Sequence, residues 1–220
     1  MCYNENISLF SYFTGITGSL ALLSKKKIPE ALFYGWVSQM QIVDYMLWKN
    51  QPCQISENNK ICSPMDLQNC NHINKTTSAF GIIINHLEPL ILFGSIMLFS
   101  QKKLPLYVII LFCIFMILII LYTIDVFRKD NLCTTVSETS DPYLKWNWNY
   151  YDYNVLIYSF FLIILILLSY YGLENGILKS LLILISYLIT YFIYKDKKVV
   201  GSMWCFLAAF SPWLIYILEK

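Results

Sequence analysis

Seven apolar stretches, each close to the length needed to cross a bilayer, constrain this chain more than any other feature. A helix rises about 1.5 Å per residue, so roughly 20 apolar residues cross about 30 Å of hydrocarbon. Stretches that meet this test occupy residues 7–23, 29–48, 77–99, 104–126, 153–172, 177–194 and 199–218, the first and sixth being the shortest. The expected fold is all-α, a single integral membrane domain over 1–220 built as a seven-helix bundle. Composition agrees: only 14% of residues are charged and mean hydropathy is +0.54, whereas soluble domains carry about a quarter charged residues. A formal net charge of +2 gives no basis for nucleic-acid binding. The implied partner is the lipid bilayer.

The lysines set an orientation. No basic residue precedes the first stretch, while Lys25, Lys26 and Lys27 follow it and Lys102 and Lys103 follow the third. Basic residues favour the cytosolic side, which places the amino terminus outside and makes 49–76 and 127–152 outer loops. Lys195, Lys197 and Lys198 then fall outside and oppose the rule. The missing basic n-region argues against a cleaved signal peptide. Cys53, Cys62, Cys70 and Cys133 lie in the two outer loops, where an oxidising compartment favours disulfides. Their three pairings stay open. Asn6-Ile7-Ser8 and Asn74-Lys75-Thr76 are glycosylation sequons; Asn6 is too close to the membrane, so Asn74 is the candidate.

Polar residues inside the apolar stretches are the candidate site, because they are expensive at membrane depth. Gln41, Asp44, Tyr45 and Trp48 recur at helical spacing in the second stretch, and the third carries Asn85-His86-Leu87-Glu88-Pro89. Consecutive antiparallel helices commonly pack together, which would bring Gln41, Asp44, Asn85, His86 and Glu88 to one depth. Asn85 and Glu88 share a face at three-residue spacing, while His86 points about 100° away from Asn85. Pro89 removes a backbone hydrogen bond and frees a carbonyl near Asn85. In the seventh stretch, Gly201 and Cys205 suit close helix packing, and Trp204 and Cys205 are alternatives for lining a pocket. The candidate ligand-binding set is Gln41, Asp44, Asn85, His86, Glu88 and Trp204.

Tyr143, Trp146, Trp148, Tyr150, Tyr151 and Tyr153 precede the fifth stretch. The expected role is an interfacial aromatic belt, with a lid or platform as the alternative. Glu88-Pro89 and Ser211-Pro212 occupy similar places in the third and seventh stretches, the one hint of a duplicated unit.

Some chemistries are excluded. Residues 199–218 contain no lysine for a retinal Schiff base, and two histidines, His72 and His86, cannot make a three-histidine zinc site. The chain has no nucleophile elbow, phosphate-binding loop or His-Glu-x-x-His. No metal or cofactor is implied.

The segments Gln39–Trp48, Asn85–Pro89 and Gly201–Cys205 resemble multi-pass membrane proteins of large DNA viruses and protists, a group to which no activity is attached. The resemblance implies a seven-helix membrane protein, and the expected location is an endomembrane, plasma or viral membrane. Three functional readings follow. The first is a membrane protein with an intramembrane polar pocket that binds or transports a small polar or amphipathic molecule, with Glu88 and His86 as the proton-sensitive pair. The second is a structural or envelope protein with disulfide-bonded outer loops. The third is a lipid-acting hydrolase or transferase using His86 oriented by Glu88 or Asp44, which requires a carboxylate in reach of His86. The balance is against an enzyme.

Overall fold

A computed structural model of the chain describes residues 4–51, 70–128, 132–136, 143–146, 148, 154–194 and 197–219. Its elements, in order, are α1 (Glu5–Ser24), α2 (Ile28–Lys49), α3 (His72–Phe99), α4 (Leu106–Arg128), β1 (Thr135–Val136), β2 (Leu144–Lys145), α5 (Asn154–Gly172), α6 (Gly176–Tyr194), α7 (Lys197–Ala208) and α8 (Ser211–Leu218). The strands form a small antiparallel ribbon, with Thr135 opposite Lys145 and Val136 opposite Leu144.

Six segments are long and apolar enough to cross a membrane: Glu5–Ser24, His72–Phe99, Leu106–Arg128, Asn154–Gly172, Gly176–Tyr194 and Val199–Leu218. The 22-residue α2 is long enough but carries Glu30, Asp44 and Lys49. The outside of the bundle is oily. On α4, Val108, Phe112, Phe115, Ile119, Tyr122 and Val126 form a buried stripe at three- and four-residue spacing. Leu106, Ile110, Ile117, Leu121 and Ile124 of the same helix are exposed. A helix apolar all round suits a lipid exterior. On α1 the usual pattern is inverted: Ser8, Ser11, Gly15, Gly18 and Ser19 are buried while Phe10, Phe13 and Leu20 point outward. Small residues let membrane helices approach closely without a hydrophobic drive between them. A Cβ at Gly18 would lie 2.8 Å from the Pro212 side chain, so α8 packs onto α1 through the missing side chain.

Local chemistry sets the helix ends. Asn4 caps α1 by accepting from the Ile7 amide at 2.9 Å. The three-lysine turn is a Schellman closure: the Lys27 amide donates to Leu22 and that of Lys26 to Leu23, with Lys26 left-handed at φ 60°. Asn71 accepts from the Ile73 amide at 2.9 Å and starts α3 at His72, so part of the expected outer loop is helical. Pro105 accepts from Val108 and fixes the start of α4, two residues later than the apolar count suggests.

The two prolines of the suggested repeat behave differently. Pro89 lies inside the continuous helix α3. Pro212 stands in the first turn of α8, after a break at Ala209 and Phe210, where its missing amide costs nothing. The seventh apolar stretch is therefore two helices.

The end of the bundle bearing the lysine turn is closed by polar contacts. Lys25 Nζ donates to the carbonyls of Tyr216 and Glu219 at 2.8 and 3.2 Å and lies 4.0 Å from the Tyr216 ring centroid. Ser100 Oγ donates to the Gly172 carbonyl at 2.6 Å, and Lys102 Nζ to that of Leu173 at 2.7 Å. Deeper, Lys179 is buried and ion-pairs with Glu30, its Nζ lying 3.4 Å from a Glu219 oxygen. Glu219 also pairs with Lys27. Two cations and two anions from α2, α6, the lysine turn and the end of α8 thus meet in one buried cluster.

The opposite end is held by a Cys70–Cys133 disulfide with Cα atoms 6.0 Å apart. Cys53 and Cys62 lie outside the described residues. Beside the bridge, Asn74 is fully buried on α3. Its Nδ2 donates to the carbonyls of Asn50 and Thr134, both at 3.0 Å, and its Oδ1 accepts from the Thr134 amide at 3.0 Å. Both Nδ2 protons are thus engaged inside the protein. The sequon at Asn74 is satisfied in sequence and occupied structurally by a helix-to-loop clamp.

Trp146 and Trp148 also depart from the expected belt. Both are fully buried, with rings stacked at 4.8 Å. Trp146 Nε1 donates to Asp44 Oδ1 at 3.3 Å, and the Tyr122 hydroxyl donates to the Trp148 carbonyl at 2.9 Å. A side chain at Gly81 would meet Val43 at 3.0 Å and Trp148 at 3.5 Å, so glycine makes room on α3 for the ring. The pair turns inward because Asp44 supplies a buried acceptor and Gly81 a recess. Tyr150, Tyr151 and Tyr153 lie outside the described residues.

Candidate functional site

The expected polar constellation divides into three parts. Asp44 and Gln41 are buried on α2, Asp44 under the tryptophan pair. His86 faces α4 and α5. Asn85 and Glu88 face the interior beside α7.

His86 sits between two hydroxyls. Its Nδ1 lies 2.7 Å from Thr123 Oγ1 and its Nε2 3.1 Å from the Tyr158 hydroxyl. Thr123 Oγ1 already donates to the Ile119 carbonyl at 2.6 Å, so it accepts from His86 Nδ1–H. Nε2 is then left to accept from Tyr158. The imidazole is tied to α4 and α5 through both nitrogens, with the Tyr122 ring 5.6 Å away. The carboxylate that the hydrolase reading requires is not among these partners. His86 and Asn85 point apart as helical spacing demands, and His86 went to a neighbour other than Glu88.

Asn85 and Glu88 share a helix face at three-residue spacing. They are 2% and 1% exposed. Yet Asn85 Oδ1 and Glu88 Oε1 accept no hydrogen bond from the described residues. Lone buried acceptors are rare, since an unsatisfied polar group costs about 1–3 kcal/mol. No lysine or arginine pairs with Glu88 among the described residues. One turn earlier, Trp36 Nε1 of α2 donates to the Ile84 carbonyl at 2.9 Å, clamping α2 to α3 next to the carbonyl that Pro89 frees.

Each acceptor borders a void. Asn85 is in the wall of a cavity of about 90 Å³ between α5, α6 and α7, with Tyr158, Phe161, Tyr187, Tyr191 and Trp204. Gly201 lines it too, so the small residue opens space there. Its exposed wall residues include Val155 and Tyr191, which places the mouth on the lipid-facing side. Glu88 borders a second void of about 10 Å³, with Tyr34, Ser186, Trp204, Cys205 and Ser211 among its walls. That is the space of about one water. Trp204 borders both, its Nε1 donating to Ser186 Oγ at 3.0 Å and its ring set edge-on to Phe161 and Tyr187.

The structure thus groups Asn85, Glu88 and Trp204 around adjoining voids. Gln41, Asp44 and His86 line neither. Tyr158, Tyr187 and Tyr191 were missed as wall residues, because tyrosine in an apolar stretch carries no spacing signal of its own. The buried cluster of Lys179, Glu30 and Glu219 was also missed. A lysine inside the sixth apolar stretch was its one legible sign. No protein-family model, curated protein or solved structure matches the chain.

Proposed function

We propose that the chain is a seven-helix membrane protein, amino terminus on the non-cytosolic side, whose bundle holds a pocket for a small amphipathic molecule taken from the bilayer. The observation that carries this reading is the buried Asn85 Oδ1, without a hydrogen-bond partner among the described residues, in the wall of a cavity that opens sideways between α5 and α6. A helix-tying amide would have used that oxygen. The cavity needs an occupant with a donor at one end and an apolar body along the aromatic wall. Binding is favoured over passage, because the buried ion cluster and the Lys25 and Lys102 contacts close one end of the bundle. Crossing by α2 is supported by the fate of its charges: Glu30 is ion-paired near one end and Asp44 hydrogen-bonded near the other. The viral or protist origin suggested by the three short segments belongs to the same proposal.

The test is a ligand-dependent thermal shift in mild detergent against a lipid extract, wild type beside Gly201→Phe. Binding predicts a wild-type shift that is lost when the cavity is filled. No wild-type shift, with Gly201→Phe more stable, would return the chain to the structural reading. That reading is favoured by one set of observations: Asn74, Asp44 and His86 all spend their polarity on tying elements together. The hydrolase reading needs a carboxylate within reach of His86, and its partners here are the hydroxyls of Thr123 and Tyr158.

A further inference from the structure

The lateral cavity has a chemistry specific enough to name the class of its ligand. We propose that it takes the head of a primary alkylammonium amphiphile, an inference that rests on the pocket reading above. Three observations converge on this class. First, the wall is an aromatic enclosure. Tyr187 stands edge-on to Trp204 with centroids 5.8 Å apart, Phe161 edge-on to Trp204 at 5.9 Å, and Tyr158 tilted against Phe161 at 6.0 Å. Faces of Trp and Tyr attract a cation held within about 6 Å. Second, among the described residues the buried polar atom of this wall without a hydrogen-bond partner is an acceptor, Asn85 Oδ1. A bound head must therefore donate, which an N–H does and a fully methylated nitrogen does not. Third, an acidic side chain stands about one helical turn from this acceptor. Glu88 lies three residues on, on the same helix face as Asn85, and no lysine or arginine pairs with that carboxyl among the described residues. Asn85 thus connects the cavity to an acidic group on the far side of Trp204.

An anion or a neutral head fits less well. An anion would face the acceptor Oδ1 and the Glu88 carboxyl with no cation in the wall. An alcohol could donate to Asn85 but would gain nothing from the aromatic faces or from Glu88. The size limits the head to a few heavy atoms, since about 90 Å³ is several times what one water needs. The tail leaves through the mouth beside Val155 and Tyr191, which are exposed on the lipid-facing side.

The experiment uses the full chain in maltoside micelles at neutral pH and four probes of equal chain length: dodecylamine, dodecyltrimethylammonium, dodecanol and laurate. Affinity is read from tryptophan emission and from thermal shift, with Trp204→Phe to assign the emission change. The expected order places dodecylamine about tenfold or more tighter than each of the others, a difference of about 1.4 kcal/mol. Glu88→Gln should erase the preference for amine over alcohol. If that variant does not fold, the probe order in wild type decides alone. Equal binding of amine and alcohol would overturn the ammonium assignment and leave the pocket standing. Equal binding of the trimethyl probe would overturn the role given to the Asn85 acceptor. No response to any probe would remove the pocket as well. A second arm separates sources of the same chemistry: nanodiscs in which phosphatidylethanolamine replaces phosphatidylcholine. A stabilisation there assigns the ligand to a bilayer lipid, and its absence alongside dodecylamine binding assigns it to a free amphiphilic amine.

Discussion

The lysine-turn end and the centre of the bundle both bury charged or strongly polar side chains, and they treat them in opposite ways. At the end, Lys179 meets Glu30 and Glu219, and Lys27 meets Glu219. Cations and anions are matched two for two. At the centre, Glu88 has no lysine or arginine partner among the described residues, and both it and Asn85 keep an acceptor oxygen that nothing there fills. Burying an ion without compensation is costly. A matched cluster therefore reads as a clamp between helices distant in sequence, and an unmatched one as a place prepared for something else. The comparison separates the two regions: charges matched by charges tie helices together, and buried acceptors that border a void mark the candidate site.

The largest effect should come from breaking the clamp. Lys179→Met leaves Glu30 without its cation in a buried position, and losing one partner of a buried pair costs about 3–5 kcal/mol. Thermal unfolding in mild detergent measures it. Adding Glu30→Leu should recover most of the loss, since a buried pair replaced by apolar groups is often near neutral. A loss below about 1 kcal/mol for the single change would show that this end is solvated and would dissolve the contrast.

Next in size is the covalent tie at the other end. Replacing Cys70 and Cys133 together by serine removes a crosslink spanning 63 residues and should cost about 2–4 kcal/mol. Reductant should do the same to wild type, and the serine variant should not respond to it further. A non-reducing gel of wild type that shows Cys70 joined to Cys53 or Cys62 would replace the pairing itself.

Much of this architecture is legible in the residues, and the part that is not has a physical reason. The apolar stretches announce themselves because the bilayer sets their length, and Pro105, Asn71 and Asn4 fix the helix starts through local bonds. The site was half legible. Asn85 and Glu88 share a face by spacing alone, and Trp204 lay in a segment already singled out. What spacing could not supply was long-range pairing. Lys179 and Glu30 are 149 residues apart, and no local rule links them. Trp146 and Trp148 look like an interfacial belt because their own neighbourhood is polar, yet Asp44, 102 residues from Trp146, draws them inward. The burial of Asn74 is equally invisible in its sequon, since the motif carries no record of burial.

The His86 bridge gives a third, smaller test of whether saturated polarity is structural. Thr123→Val removes the acceptor for His86 Nδ1–H and leaves a buried donor open, at a cost of about 1–3 kcal/mol. Binding of an amphiphile should be unchanged, because neither residue lines the cavity. A binding loss without a stability loss would move His86 from the structural set to the site.

The smallest expected effect on stability is the one that sharpens the contrast most. Glu88→Gln keeps the shape of the side chain and keeps an oxygen for Asn85, while removing a carboxyl that has no cation partner among the described residues. Nothing built around Glu88 depends on its charge, whereas everything around Glu30 does. The change should therefore shift stability by no more than about 0.5 kcal/mol or raise it, as replacements at functional sites often do. Thermal unfolding beside Lys179→Met, under the same conditions, makes the two ends of the scale directly comparable. A Glu88→Gln loss as large as that of Lys179→Met would mean that the carboxyl is held by a partner as firmly as Glu30 is. The leftover acceptors would then be part of the scaffold, and the search for a ligand would pass to the disulfide-tied end.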